Sequence, residues 1–173
     1  MTGFSGLSKT SSLSDVLQRF PRHSERLLRL LDVIMCDDGA LGRGEREAIA
    51  AFVSQQTTTP YCVIYHTVFS EAFSGPIAAT NESIRPLLTY AGAVLGPDRD
   101  RISAAFDAAR HAGWSEDALH EVVEVCGLFS LINTIVRAAG IDPPKAISPQ
   151  PTADGLARAY AAMADAIPTQ DTT

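Results

Sequence analysis

Three side chains that can move protons or attack an electrophile lie in one stretch, Arg43 to Phe73 (RGEREAIAAFVSQQTTTPYCVIYHTVFSEAF). Cys62 and His66 are four residues apart, which places both side chains on the same face of a helix. Glu47 belongs to the preceding helical pattern, and small residues that allow close helix packing follow it on its own face. A carboxylate, a thiol and an imidazole in contact can transfer protons and support nucleophilic attack by sulfur.

Two helices joined by a polar turn must position these side chains. The turn covers residues 55–59, and Thr59 is a suitable N-cap before Pro60, a residue favoured at the first helical position. Cys62 then falls in the first turn of the second helix, where free backbone N–H groups favour a negative charge. The sequence therefore predicts a lowered pKa for the Cys62 thiol.

Aromatic residues of the second helix are expected to enclose the same place. Phe69 continues the stripe that Cys62 and His66 begin, and two tyrosines occupy a neighbouring stripe. We expect a pocket whose walls include Thr59, Tyr61, Tyr65 and Phe69. The alternative interpretation is a buried cysteine and histidine in an aromatic core.

The spacing of Glu47, Cys62 and His66, together with Arg46-Glu47-x-Ile49-Ala50, resembles the active-site signature of the alkylhydroperoxidase D and carboxymuconolactone decarboxylase superfamily. The segment from Tyr90 to Gly140 is similar to its peroxidase-related branch. The resemblance implies an all-α, AhpD-like orthogonal helical bundle of about seven to eight helices. It also implies a homo-oligomer: a dimer, a trimer or a hexamer.

One difference from the family pattern concerns the redox partner of Cys62. Redox-active members carry a Cys-x-x-Cys pair, and Thr59 occupies the position of the first cysteine. A histidine found beside the second cysteine in some members is replaced by Tyr61. A sulfenic acid formed on Cys62 would then have to react with Cys36, Cys126, a small thiol or a partner protein.

Three functions are compatible with these residues. The first is an alkylhydroperoxidase-like, peroxiredoxin-type antioxidant oxidoreductase in which Cys62 is the one reactive cysteine and Glu47 and His66 relay protons. The second is a decarboxylase, lyase or isomerase of the carboxymuconolactone decarboxylase type, with Glu47 and His66 as an acid/base pair acting on a small organic acid. The third is a non-catalytic oligomeric ligand-binding module. We expect no cofactor and no metal, because zinc sites usually show richer Cys/His spacing.

The composition limits the partners of the chain. Its 173 residues carry a net charge of −6 with no dense basic run, which argues against nucleic-acid binding and against an anionic lipid surface. Three cysteines make a poor disulfide framework, and we expect a reducing, cytoplasmic location. The expected partners are a small-molecule substrate (a peroxide or a small organic acid) and an external thiol reductant.

Turn signals divide the chain into three parts. Residues 1–11 are rich in Gly, Ser and Thr and are expected to be a flexible N-terminus. Residues 12–140 form the predicted AhpD-like helical domain, whose longest helix should be capped by Ser115 and carry the buried polar Asn133. Residues 141–173 are expected to comprise a linker and one alanine-rich helix of about residues 153–166.

Overall fold

The computed structural model describes residues 3–168. Between these residues it contains helices and no β-strand, which confirms the all-α prediction. The helical segments are α1 (Leu13–Arg19), α2 (Pro21–Cys36), α3 (Arg43–Gln56), α4 (Pro60–Ser74), α5 (Ile77–Ser83), α6 (Arg85–Val94), α7 (Arg99–His111), α8 (Glu116–Ala139), α9 (Ala153–Leu156) and α10 (Ala159–Asp165). The first eight lie within the predicted domain, and two short ones replace the single C-terminal helix expected from the sequence.

Local capping explains where several helices begin and end. The Ser12 side chain accepts from the backbone N–H of Asp15 at the start of α1, and Ser115 accepts from that of Ala118 at the start of α8. Gly140 ends α8 in the left-handed conformation, with φ of 64°, which a glycine adopts without steric cost. The predicted start of the long helix is therefore confirmed.

The α3–α4 hairpin and α8 form the centre of the molecule. Along α3, the side chains of Ala48, Ile49, Ala50 and Val53 are almost completely buried. Gly44 allows α3 to approach the end of α4, since a Cβ at this position would lie 1.8 Å from Ser74 Oγ. The Ser70 hydroxyl donates to the Gly44 carbonyl at 2.8 Å across the same contact. Close packing thus fixes the relative position of the two helices that carry Glu47 and His66.

A buried polar contact joins this hairpin to α8. Asn133 is fully buried; its Oδ1 accepts from Ser54 Oγ at 3.2 Å, and its Nδ2 donates to Thr57 Oγ1 at 2.9 Å. The buried Asn133 side chain therefore has its hydrogen-bond partners at the end of α3 and in the turn that follows it.

The hydrophobic character of α8 reflects its central position. Within the described part of the chain, α8 is the one helix long and apolar enough by composition to cross a bilayer, and half of its most apolar stretch is buried inside the protein. The core helix of a globular domain meets the same criteria. Val122, Val125, Phe129 and Val136 are among its almost completely buried residues.

The C-terminal segment folds back onto the helical bundle. α10 packs against α2, and Tyr160, Ala164 and Ile167 join the hydrophobic core. At the other end, the Lys9 carbonyl accepts from the backbone N–H of Asp142 at 2.7 Å. The predicted boundaries at residues 11 and 140, and the flexibility of residues 1–11, stay predictions.

Candidate active site

Glu47 and His66 form a buried carboxylate–imidazole pair across the α3–α4 hairpin. His66 Nδ1 lies 2.6 Å from Glu47 Oε2, and the Glu47 side chain is completely buried. An ionised carboxylate only accepts hydrogen bonds, so Nδ1 carries a proton, and in the neutral form of the imidazole Nε2 then carries the lone pair. Nε2 has no hydrogen-bond partner among residues 3–168. The pair therefore has the arrangement of a general base held in one tautomer by a carboxylate.

The charge of Glu47 is balanced within the protein. Arg43, one turn earlier on α3, donates from Nε to Glu47 Oε1 at 2.8 Å. Burial alone would raise the pKa of the Glu47 carboxyl, but the hydrogen bond and charge of His66 and the charge of Arg43 outweigh it, and the pKa is lowered. Glu47 is consequently ionised at neutral pH despite its burial.

Two aromatic rings hold the imidazole in place. Phe129 of α8 meets the His66 ring edge-to-face with 4.5 Å between ring centroids, and Phe69 meets it in the same manner at 5.7 Å. Edge-to-face contacts favour one ring orientation over others. The His66 side chain is thus fixed both by its Glu47 hydrogen bond and by packing from two helices.

A mainly apolar cavity of about 220 Å³ contains the reactive side chains. Both Cys62 and His66 line it, and most of the remaining wall is aliphatic or aromatic. The other lining residues are Ser12, Leu13, Ser14, Leu31, Tyr61, Tyr65, Phe69, Phe129, Ile132, Tyr160 and Met163. Pocket walls of this kind, with few polar groups, are typical of sites for small molecules.

The environment of Cys62 differs from the expectation. Burial raises the pKa of its thiol to about 12, instead of the lowered value that its position in the first turn of α4 predicted. The thiol makes no hydrogen bond to any residue between 3 and 168, to His66 included. The dipole of one helix end is weak against the loss of water around a sulfur anion, so the resting thiol is neutral.

Thr59 also departs from its predicted role. It occupies the N-cap position of α4, but its side chain makes no capping hydrogen bond and donates instead to the Thr57 carbonyl at 3.3 Å. Its backbone φ of −118° and ψ of 76° lie outside the conformation usual for an N-cap. Thr59 borders a separate surface pocket with Lys9 and Arg137, whereas Tyr61, Tyr65 and Phe69 line the main cavity.

The other two cysteines lie outside the cavity wall. Cys36, at the end of α2, accepts from Arg43 Nη1 at 2.6 Å and lies 3.3 Å from Asp32 Oδ1; burial raises the pKa of its thiol to about 11. Cys126 on α8 is buried, which raises the pKa of its thiol to about 12. Neither is among the residues that line the cavity with Cys62.

Arg43 and Tyr160 are site residues that the sequence reasoning missed. The Tyr160 hydroxyl donates to Glu47 Oε1 at 3.1 Å and lies 3.4 Å from Oε2, from 113 residues away. The Arg43 guanidinium lies over the Tyr160 ring at 5.0 Å and over Phe73 at 5.1 Å. The four-residue spacing of Arg43 and Glu47 was a usable signal for a helical ion pair. No local pattern links Tyr160 to Glu47.

The cluster is not arranged as a metal site. In the part of the chain that the structure describes, no three His, Cys, Asp or Glu side chains are grouped so that they could hold an ion. Glu47 already accepts hydrogen bonds from Arg43, His66 and Tyr160. Its oxygens are therefore occupied by donors that a metal ion would have to displace.

Comparisons with known proteins identify the fold. Neither protein-family models nor curated protein sequences gave a match to the chain. It is similar to the structure of an alkylhydroperoxidase AhpD core, an uncharacterized peroxidase-related protein from Ralstonia eutropha JMP134, with 23% identity and a TM-score of 0.66 over 75% of this chain and 74% of that one. It is also similar to an uncharacterized peroxidase-related protein from Silicibacter sp. TM1040, with 18% identity and a TM-score of 0.62 over 83% of this chain and 92% of that one. The predicted AhpD-like fold is thereby confirmed.

Proposed function

We propose that this chain is a thiol-dependent peroxidase of the alkylhydroperoxidase type, in which Cys62 is the attacking thiol and His66, held by Glu47, is the proton acceptor. The observation that carries the proposal is the 2.6 Å Glu47–His66 pair at the wall of a cavity that Cys62 also lines. The fold shared with two peroxidase-related proteins supports it.

The first half-reaction consumes the peroxide. A hydroperoxide, ROOH, binds in the cavity, and Cys62 Sγ attacks the outer peroxide oxygen while its proton passes to His66 Nε2, directly or through water. The S–O bond forms, the O–O bond breaks, and the leaving RO⁻ takes the proton from the imidazolium as ROH. Sulfur loses two electrons and becomes a sulfenic acid, and the peroxide is reduced by the same two.

The second half-reaction requires an external thiol. Thr59 occupies the family's first cysteine position, and neither Cys36 nor Cys126 lines the cavity, so Cys62 is the one thiol in the cavity wall among the described residues. A small thiol, R′SH, attacks the sulfenic sulfur and releases water, and a second R′SH frees Cys62 as a thiol with formation of R′SSR′. Turnover is therefore expected to rise with the concentration of that thiol.

The raised pKa of Cys62 determines how the base must act. At neutral pH a thiol with a pKa of about 12 is almost entirely protonated, so a preformed thiolate cannot be the main reactant. His66 has to accept the proton as the S–O bond forms. Glu47 stabilises the imidazolium that results, because its carboxylate faces Nδ1.

The same feature favours a second candidate function. A buried neutral thiol without a hydrogen-bond partner is compatible with a wall residue, and the Glu47–His66 pair alone could remove a proton from a bound carbon acid. The chain would then be a non-redox lyase, decarboxylase or isomerase acting on a small organic acid. In that case the activity would depend on His66 and be insensitive to loss of the Cys62 sulfur.

Peroxide consumption separates the two candidates. We would measure initial rates with hydrogen peroxide and cumene hydroperoxide in the presence of dithiothreitol for the wild type, Cys62→Ser and Cys126→Ser. Cys126 is a matched control, because it is equally buried and lies outside the cavity wall. The proposal predicts a loss of at least about 100-fold in Cys62→Ser and a rate near that of the wild type in Cys126→Ser. Equal rates in the wild type and Cys62→Ser would contradict the proposed thiol peroxidase function.

A further inference from the structure

The C-terminal segment reaches into the candidate active site. Tyr160 is 5% exposed, its hydroxyl donates to Glu47, and its side chain lines the cavity beside Met163 of the same helix. Neither residue belongs to the Arg43–Phe73 stretch that carries the other chemical groups. The segment after Gly140 therefore contributes both a cavity wall and a hydrogen bond to the base-holding carboxylate.

Contacts independent of Glu47 hold α10 in this place. The backbone N–H of Ala161 donates to Asp32 Oδ1 at 3.1 Å, and Arg29 forms an exposed ion pair with Asp165 at 2.6 Å. Ala164 and Ile167 pack in the core. Because α2 and the core determine the position of α10, the Tyr160 hydroxyl is presented to Glu47 by the fold and does not depend on that single hydrogen bond.

The Glu47 carboxylate is shared by three hydrogen-bond donors, of which the Tyr160 hydroxyl is one. Arg43 Nε and Tyr160 donate to one carboxylate oxygen, and His66 Nδ1 donates to the other. Burial and the charge of Glu47 raise the pKa of the Tyr160 phenol well above its usual value, so it stays a neutral donor throughout the working pH range. A carboxylate that already accepts from a phenol attracts the imidazole proton less strongly than one without it.

The remaining charged and titratable groups around the pair come from three helices. Apart from His66, Arg43 on α3 is the one cationic side chain in contact with Glu47 within residues 3–168, and Cys36 on α2 touches Arg43. Tyr61, Cys62 and Tyr65 on α4 line the same cavity as His66. Tyr160 differs from these groups because it is a neutral donor bound directly to the carboxylate that orients His66.

We propose that Tyr160 is a positioning residue for the reaction. Its hydroxyl fixes the Glu47 carboxylate and limits the attraction of that carboxylate for the His66 proton. The C-terminal segment therefore contributes to the function of the active site. This inference rests on the proposed function, in which His66 must be unprotonated to accept the thiol proton. Without the Tyr160 hydroxyl, Glu47 holds the imidazolium more strongly, and the base is available only at higher pH.

The test titrates His66 directly by NMR in the full chain. We would follow the ring carbon-bound protons of His66 in the wild type and Tyr160→Phe, with His23, His111 and His120 as internal references. The midpoint for His66 should move upward by about half a pH unit, and the acid limb of the peroxidase pH–rate profile should move with it. Tyr90→Phe is the matched control, because Tyr90 is buried on α6 against Phe106 and lies outside the cavity wall. This variant should shift neither the His66 midpoint nor the acid limb of the profile.

A second replacement of Tyr160 keeps the phenol ring and should shift the His66 midpoint in the opposite direction. 3-Fluorotyrosine at position 160 is a stronger hydrogen-bond donor and should move the His66 midpoint downward. Unchanged midpoints in both replacements, or shifts of one sign, would overturn the role of Tyr160. The titration requires no turnover, so a chain that consumes no peroxide but shows both shifts would overturn the proposed function and leave the Tyr160 contact established.

Discussion

At the scale of single residues, the site combines a fully ionised buried acid with a neutral buried thiol. Glu47 keeps its charge because His66 and Arg43 compensate for burial, whereas Cys62 has no such partner in residues 3–168 and its thiol pKa rises to about 12. Burial raises the pKa of both groups, and only Glu47 has charged partners that reverse the effect. Reactivity of Cys62 is expected to depend on proton transfer to His66 during attack.

Alkylation of Cys62 should follow the raised pKa of its thiol. A reagent such as iodoacetamide reacts with the thiolate, so its rate at neutral pH should be slow and should increase about tenfold per pH unit up to about pH 10. The rate at Cys62, read by peptide mass spectrometry, is compared with that of free cysteine. A rate that already levels off below about pH 8 would show an activated thiolate and contradict this description of the site.

Replacing Glu47 with Gln should destabilise the protein in a pH-dependent manner. The variant leaves the partly exposed Arg43, whose side chain is 13% exposed, without its counter-charge, a change expected to cost about 3 kcal/mol of unfolding free energy. Because the pKa of Glu47 is lowered in the folded state, its contribution is fully present above the usual glutamate pKa of about 4.3 and is lost as pH falls through the lower folded value.

Urea unfolding of the wild type and Glu47→Gln at several pH values measures this contribution. The difference in unfolding free energy between the two proteins should be largest near neutral pH and should decrease below about pH 4. Glu71→Gln serves as a control, because Glu71 lies near the end of α4 outside the cavity wall. A difference that stays constant from neutral to acid pH would mean that Glu47 is not ionised in the fold.

At the scale of helices, ion pairs and polar contacts determine where α3 lies. Arg46 donates from Nη2 to Glu121 Oε2 at 2.9 Å and links α3 to α8, and Glu121 also accepts from the backbone N–H groups of Ala40 and Leu41. Arg46 is 4% exposed, and the Glu121 carboxylate is the counter-charge it contacts. The loop before α3, and hence the start of the helix that carries Glu47, is anchored by one residue of α8.

Two glutamates of α8 allow a matched comparison of this anchor. Glu121→Gln should lower the unfolding free energy by about 2 kcal/mol, because it weakens the counter-charge of a buried arginine. Glu124→Gln should change it by less than about 0.5 kcal/mol, because Glu124 pairs with His120 at 3.7 Å on the exposed side. Equal effects in chemical denaturation would contradict the anchoring role of Glu121.

Sequence reasoning was sufficient where local rules act and failed where distant segments meet. The Ser115 cap follows from local sequence rules, and the shared helix face of Cys62 and His66 follows from their four-residue spacing. The prediction of a lowered pKa for the Cys62 thiol was wrong, because this pKa depends on how other helices exclude water from the sulfur. Tyr160 was missed because its contact with Glu47 spans 113 residues.

At the scale of the whole molecule, several large apolar side chains stay at the surface. Leu30 and Val33 on α2 and Leu131 on α8 are each about half exposed, at 51%, 53% and 50%. We expect a homo-oligomer, since burying such residues between subunits is favourable. Light scattering at micromolar concentration should give a mass of at least two chains of 18.5 kDa, and a monomeric mass would contradict this expectation.

The most direct test of the central claim is the site of oxidation after a single turnover. The reduced protein would receive one equivalent of cumene hydroperoxide without added thiol, then dimedone to trap sulfenic acid, followed by peptide mass spectrometry of all three cysteines. We predict dimedone on Cys62 in the wild type, none on Cys126, and a marked loss of Cys62 labelling in His66→Asn. Absence of label on Cys62 with the peroxide consumed, or equal labelling in His66→Asn, would contradict the account.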